Sequence, residues 1–163
     1  MTEQNSEMIA GKNPILEALR SGREINKLWI AEGVKKTGIN ELLDLARERG
    51  VLVQFVPKKK VDQLSDANHQ GIVASVAAYN YSELEDLFSA AQKKNEDPFF
   101  LILDELEDPH NLGSIMRTAD AIGVHGIIIP KRRAVGLTAV VAKASTGAIE
   151  HVPVVRVTNL AQT

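Results

Sequence analysis

Asn111 and Arg117 stand six residues apart in Asp108-Pro109-His110-Asn111-Leu112-Gly113-Ser114-Ile115-Met116-Arg117, and their types suggest chemistry first. A guanidinium offers a planar fork of donors suited to a phosphate or carboxylate. A carboxamide both donates and accepts. These are the two polar groups that stand out on this turn. A plainer reading competes: Asn111 caps a helix and Arg117 pairs with Asp108 or Asp120. Just upstream, Asp104, Glu105, Glu107 and Asp108 could do acid–base work, and His110 could serve as a base. Acids on a loop are more commonly solvated, however, and a histidine at a helix start more commonly lies on the surface.

The elements that would position these groups are visible in the apolar spacing. Phe99 to Leu103 is a short apolar run of the length expected for a strand buried on both faces. From about Asn111, Leu112, Ile115, Met116, Ala119 and Ile122 recur at helical spacing, and Gly123 supplies a stop. A strand–loop–helix junction puts its loop at the carboxyl edge of a parallel sheet, where ligands of open α/β sheets bind. A strand over Gly126–Pro130, the turn Lys131-Arg132-Arg133, a helix over 137–144 ended by Gly147, and a strand over 152–157 follow. Three strands with right-handed crossovers make half of a doubly wound sheet. With only two helices to cover them, this unit reads as unfinished.

Upstream, residues 1–12 are polar and expected to be loose. Asn13-Pro14 reads as a helix cap followed by proline, with Ile15, Leu16, Ala18 and Leu19 inward. Strands are expected over 27–31, 51–56 and 71–77. A helix over 39–49 turns Leu42, Leu43, Leu45 and Ala46 to the core, and a short basic helix opened by Pro57 turns in Val61 and Leu64. This α-β-α-β-α-β order predicts a small α/β sandwich. Residues 79–98 read as a helical linker, with Ser82 and Glu85 as a capping box and Leu84, Leu87, Phe88 and Ala91 on one face. The expected domains are therefore 1–78, a linker over 79–98, and 99–163.

Composition narrows the classes. The 163 residues are 44% hydrophobic and 25% charged, as in an ordinary globular chain. No apolar run approaches the roughly 20 residues that cross a bilayer, and the start lacks the basic-then-apolar form of a secretory signal. No cysteine is present, which removes thiolate chemistry, and the four histidines lack metal-ligand spacing, so no metal is expected. With 19 Lys+Arg against 21 Asp+Glu, a net charge of −2 argues against a general polyanion binder. Lys58-Lys59-Lys60 and Lys131-Arg132-Arg133 are the local basic clusters, ordinarily solvated surface. No Walker loop, dinucleotide fingerprint or nucleophile elbow occurs.

Asp104 to Asp120, together with Gly123-Val124-His125, Ile129-Pro130-Lys131, Ser145-Thr146-Gly147-Ala148-Ile149-Glu150-His151-Val152-Pro153-Val154 and Arg156-Val157-Thr158-Asn159-Leu160, resembles the SpoU family of RNA ribose 2′-O-methyltransferases. Gly11-Lys12-Asn13-Pro14-Ile15-Leu16-Glu17-Ala18-Leu19 and His69-Gln70-Gly71-Ile72-Val73-Ala74 resemble that family's N-terminal substrate-binding domain, which is similar to an RNA-binding ribosomal-protein fold. The resemblance implies an α/β fold with a small N-terminal sandwich, a helical linker and the first part of a parallel-sheet α/β-knot methyltransferase domain. It implies S-adenosylmethionine as methyl donor and ribosomal RNA as partner, closest to the enzymes acting on a guanosine ribose of 23S rRNA, with transfer RNA or a non-catalytic RNA-binding module as alternatives. It casts Arg117 and Asn111 as catalytic, and Lys12, Asn13, Gly113, Lys131, Arg132 and Arg133 as RNA-binding. The family's later knot motifs, which make most of the cofactor pocket and the dimer surface, have no counterpart in these residues. The chain therefore reads as a truncated piece of a cytoplasmic, homodimeric enzyme, without membrane contact and without a cofactor-binding residue of its own.

Overall fold

The structure, a computed structural model, describes residues 8–163, which form two compact units that divide between Ala77 and Ala78. Strands in the first unit are β1 (Met8–Ala10), β2 (Ile25–Ala31), β3 (Leu52–Val56) and β4 (Ile72–Val76). They lie in the order β1-β4-β2-β3, with β2 and β3 parallel and β4 antiparallel to both its neighbours. The helices are α1 (Lys12–Arg20), α2 (Asn40–Glu48) and α3 (Lys58–Leu64). Ile15 and Leu19 of α1 and Leu42 and Ala46 of α2 pack with Leu28, Ile30, Ile72 and Ala74 on one sheet face. Val61 of α3 packs with Ala31, Val56 and Val73 on the other. The sheet is thus covered by helices on both faces.

Two expectations fail at the start of this unit. Residues 8–10 are not loose but form β1, because Met8, Ile9 and Ala10 pair with Ser75, Ala74 and Val73 at an open edge of β4. The expected looseness of residues 1–7 lies outside the described residues. Asn13 does not cap α1. The helix begins at Lys12 after Gly11, whose φ of 91° lets the chain turn directly out of the sheet while its N–H donates to Ile72 O at 2.9 Å.

The second unit contains α4 (Leu84–Lys94), β5 (Phe100–Ile102), α5 (Pro109–Ile122), β6 (Gly126–Pro130), α6 (Ala139–Ala144) and β7 (Val154–Val157). Its sheet is fully parallel in the order β5-β6-β7. Helices α5 and α6 cover one face through Leu112, Met116, Ala119 and Val141 against Ile127, Ile129 and Val154. Helix α4, in the stretch expected as a linker, covers the other, with Leu87 wholly buried against Ile128 and Val155. A Cβ on Gly126 would meet Leu87 Cγ at 2.2 Å, so the strand glycine is what lets α4 lie this close. The face expected to be bare thus has a helix on it.

The first strand is shorter and wetter than its apolar run suggested. β5 is an edge strand in which Ile102 is 61% exposed, Phe99 just before it is 45% exposed, and the strand enclosed on both faces is β6. The capping box also shifts by one residue: Asp86 accepts from the Glu83 N–H at 2.9 Å, in place of Ser82 with Glu85. Phe88, expected inward, is half exposed with its ring edge-on to Phe100 at 5.0 Å.

Candidate functional site

At the carboxyl edge of β5 the chain crosses residues 103–108 and enters α5. The helix starts two residues earlier than its apolar spacing implied, because Asp108 is the cap: its carboxylate accepts from the Asn111 N–H at 2.8 Å and Pro109 opens the first turn. Asn111 is therefore not the cap, and its side chain is exposed. Leu112, Met116 and Ala119 take the buried face. His110, Ser114, Arg117 and Ala121 follow one another at i, i+4, i+7 and i+11, and all four are exposed.

Arg117 pairs with neither Asp108 nor Asp120; among the described residues it makes no ion pair or side-chain hydrogen bond. Six residues separate it from Asn111, roughly 9 Å along the axis. Helical side chains lean toward the N-terminus, so the guanidinium reaches back toward the level of Ser114. The two groups share the solvent side of α5 without touching. Asp108 at the cap also answers the positive end of the helix, which makes that end a poor phosphate site on its own. A phosphate on this helix is better met by Arg117.

The other expected residues divide sharply. Gly113 does not offer its backbone to a ligand. It is buried, and a Cβ there would stand 2.5 Å from Ala144 Cβ and 2.9 Å from Ser145 N, so the glycine is needed where α5 crosses the end of α6. Arg133 lies on the loop after β6 but is already engaged, its Nη1 donating to Glu105 Oε1 at 3.0 Å. Both partners are left-handed, with φ of 52° and 54°, although neither is glycine. A second tie runs beside them, from Val135 N–H to Leu106 O at 2.9 Å. The loops after β5 and β6 are thereby joined at the same edge as α5's first turn. Arg132 on this turn is exposed, whereas Lys131 is half-buried, with its N–H donating to Val157 O at 2.9 Å. Lys12 and Asn13 lie in the other unit, in the first turn of α1, with Asn13 exposed and Lys12 half-buried.

Several supporting contacts carry no signal in local sequence pattern, because their partners are far apart in the chain. The Tyr81 hydroxyl accepts from the Leu137 N–H at 2.8 Å, and the Arg156 guanidinium stacks 4.7 Å above the Tyr81 ring. The pair fixes the far end of the loop after β6. Tyr79 donates to Glu150 Oε1 at 2.9 Å, and that bond, then partial burial, raises the phenol above its ordinary value. His125 is buried for structural reasons: its Nδ1 accepts from the Phe99 N–H at 3.0 Å while Nε2 meets Glu96 at 2.7 Å. Among the described residues, no group of His, Asp and Glu could hold a metal ion, and no helix is long and apolar enough to cross a membrane.

Comparison with known proteins gives this geometry a family. Residues 8–82 match the family model described as RNA 2′-O ribose methyltransferase substrate binding, and residues 98–163 match the SpoU rRNA Methylase family. A protein of Bacillus subtilis named putative TrmH family tRNA/rRNA methyltransferase YacO is 63% identical over 160 residues, covering 98% of this chain and 64% of that protein. A putative TrmH family tRNA/rRNA methyltransferase of Staphylococcus haemolyticus is 55% identical over 96% of this chain and 63% of its own length. The chain thus spans less than two thirds of the curated relatives it matches. Among solved structures, an AdoMet-bound rRNA methyltransferase from Sinorhizobium meliloti is 28% identical over 91% of this chain and 53% of its own, with a TM-score of 0.40. The SpoU methyltransferase AviRb from Streptomyces viridochromogenes, in complex with AdoMet, is 24% identical over 95% and 56%, with a TM-score of 0.44. With a substrate-binding match and a methylase match in this order along one chain, the protein belongs to the SpoU family of RNA methyltransferases.

Proposed function

We propose that the protein carrying this chain transfers a methyl group from S-adenosylmethionine to a ribose 2′-hydroxyl of RNA, and that Arg117 is the residue on which the transfer depends. The observation that carries this reading is an exposed, unpartnered guanidinium on the helix that leaves the carboxyl edge of the methylase unit's sheet. S-Adenosylmethionine, when bound, supplies an electrophilic methyl on sulfur. The carboxyl edge here displays exposed Asp104, Glu105, Glu107 and Arg132. That is a charged rim rather than an enclosing apolar slot for an adenosyl group. None of these residues is assigned to the cofactor.

The acceptor chemistry follows from the charges. A 2′-hydroxyl is a weak nucleophile at neutral pH. As its oxygen bonds to the methyl and the sulfur–methyl bond breaks to leave a neutral thioether, its proton passes to solvent. The negative charge that proton loss places on the oxygen needs a donor nearby. Arginine keeps its proton in proteins, so a guanidinium here serves as a donor rather than as a general base. Its fork can grip the phosphate beside the reacting ribose and stabilise the developing alkoxide in one placement. Asn111, about 1.7 turns toward the helix start, orients the ribose from the solvent-exposed surface of the same helix. Within the family, a guanosine of 23S ribosomal RNA is the substrate we favour, acted on by a cytoplasmic homodimer.

The experiment compares ribosomal and transfer RNA from a strain lacking the gene with the same RNA after complementation, mapping 2′-O-methyl groups by primer extension at low nucleotide concentration. One stop in 23S RNA should vanish on deletion and return with the wild-type gene. It should not return with Arg117→Ala, where a loss of at least about a thousandfold, some 4 kcal/mol of barrier, is expected. Arg117→Ala should leave thermal unfolding unchanged, since the side chain is solvated. A lost methyl in transfer RNA instead would move the substrate, and retained activity in Arg117→Ala would remove the role given to the guanidinium.

A further inference from the structure

The first unit holds a cleft of about 520 Å³ at the carboxyl edge of its parallel pair β2–β3. Ala31, Val34 and Gly71 supply apolar lining, and Lys58, Asn68 and Gln70 stand around it exposed. Among the described residues the side chains of these three make no ion pair or hydrogen bond. They are free to meet a ligand, yet the loop that carries two of them is firmly held. His69 Nδ1 accepts from the Gly71 N–H at 2.9 Å, and its Nε2 lies 3.0 Å from Asp62 Oδ1 on α3. Gln70 is held at φ 49°, a left-handed conformation uncommon for a residue with a Cβ. Gly71 follows at φ 82°, where a Cβ would stand 2.8 Å from Val34 Cγ2. Such strain persists only where the surroundings over-determine it, and it concentrates at ligand clamps.

The loop also adjoins the two residues expected to bind RNA in this unit. A Cβ on Gly11 would lie 3.5 Å from Asn68 O, so Lys12 and Asn13 begin their helix directly beside the cleft. The groups assembled here differ from those of an anion site. Glu32 and Asp62 line the cleft with Lys58 and offset its charge, so a bare phosphate gains little. Two free carboxamides and a carboxylate are instead the donors and acceptors that read the edge of a nucleobase. Sequence-specific RNA recognition draws on unpaired nucleotides whose edges are open.

We propose that this cleft takes one unpaired nucleotide of the RNA substrate, its base on the apolar lining, its edge read by Asn68 and Gln70, and its phosphate met by Lys58 and Lys12. This deepens the proposed function, since it rests on RNA being the substrate, but it is separable from methyl transfer. The site selects single-stranded RNA over duplex, because a base paired within a helix cannot present its edge to a concave site.

Fluorescence anisotropy with the full chain tests this on two RNAs of one sequence, a single strand and the same strand annealed into a duplex. Wild type should prefer the single strand. Asn68→Ala and Gln70→Gly should each weaken single-strand binding about tenfold, the loss expected for a base-edge contact, while duplex binding stays within about twofold. Gln70→Gly is the more telling variant, because glycine accepts the positive φ and the fold is preserved as the amide is removed. Unchanged single-strand affinity in Gln70→Gly, or equal losses on both RNAs, would overturn the proposal. So would micromolar competition by adenosine monophosphate, which would give the cleft to a free nucleotide. If the strand binds as expected while the parent protein transfers no methyl group, the cleft stands and the catalytic reading falls. If neither RNA binds, the cleft proposal fails, whatever the methylation maps show.

Discussion

Asp108 and Glu105 show how the acidic stretch before α5 is spent. Asp108 satisfies the orphan N–H of Asn111, so Asp108→Ala should lower stability by about 1 kcal/mol, read by denaturant unfolding, with Asp108→Ser recovering most of it. Asp followed by Pro is a recognisable helix start, yet the expected cap was Asn111. Apolar spacing pulled the expected boundary inward only because the first apolar residue of the helix is Leu112. Glu105 is a different case. It holds Arg133 through an exposed pair worth under about 1 kcal/mol, on two left-handed residues, and no local pattern announces a partner across two loops. Because a phosphate must compete with that carboxylate for the same guanidinium, Glu105→Gln should tighten RNA binding a few-fold at low salt. Arg133→Gln should weaken it, and the double variant should behave like Arg133→Gln alone. A Glu105→Gln variant no tighter than wild type would show that Arg133 never leaves its carboxylate for RNA.

At the scale of elements, two glycines decide how the methylase unit packs. Gly113 lets α5 touch the end of α6, and Gly126 lets α4 lie on the sheet. Gly113→Ala gains about 1 kcal/mol of helix propensity but drives a methyl to 2.5 Å from Ala144 Cβ. Overpacking of that kind costs on the order of 1–3 kcal/mol, so the net change should be destabilising. Adding Ala144→Gly should return part of the loss in a double-mutant cycle monitored by thermal unfolding. An additive cycle would mean that α5 and α6 do not meet at this point. Strand and helix identity in this unit could be read from periodicity, since β6 is buried along its apolar run and α5 buries Leu112, Met116 and Ala119, although Ile122, expected on the same face, is 57% exposed. The role of residues 84–94 could not. Leu87 and Ala91 mark an apolar face, but only the bare side of the β5-β6-β7 sheet makes that face a covering layer rather than a connector. In the same way β1 was hidden, because three residues carry too little alternation to betray an edge pairing with β4.

For the whole molecule, the balance of charge constrains how RNA can be held. A net charge of −2 supplies no general attraction to a polyanion, so binding must rest on a few placed cations rather than on the field of the protein. Those the two proposed sites call on are local: Lys12 and Lys58 in the first unit, Arg117 and Arg132 in the second. Lys27 adds a second lysine site, half-buried 5.3 Å from the Trp29 ring centre, where burial and then the neighbouring Lys60 lower its pKa. An arriving phosphate would offset that repulsion and favour the charged ammonium. If about three or four phosphates are neutralised on single-stranded RNA, the logarithm of affinity should fall against the logarithm of salt with a slope of about −2 to −3. Each of Lys58→Ala and Arg117→Ala should make the slope shallower by just under one unit, whereas Gln70→Gly should reduce affinity at every salt concentration and leave the slope alone. Titrations between low and physiological salt separate these patterns directly. A wild-type slope steeper than about −5 would mean a broad basic surface that the charge distribution of this chain does not contain.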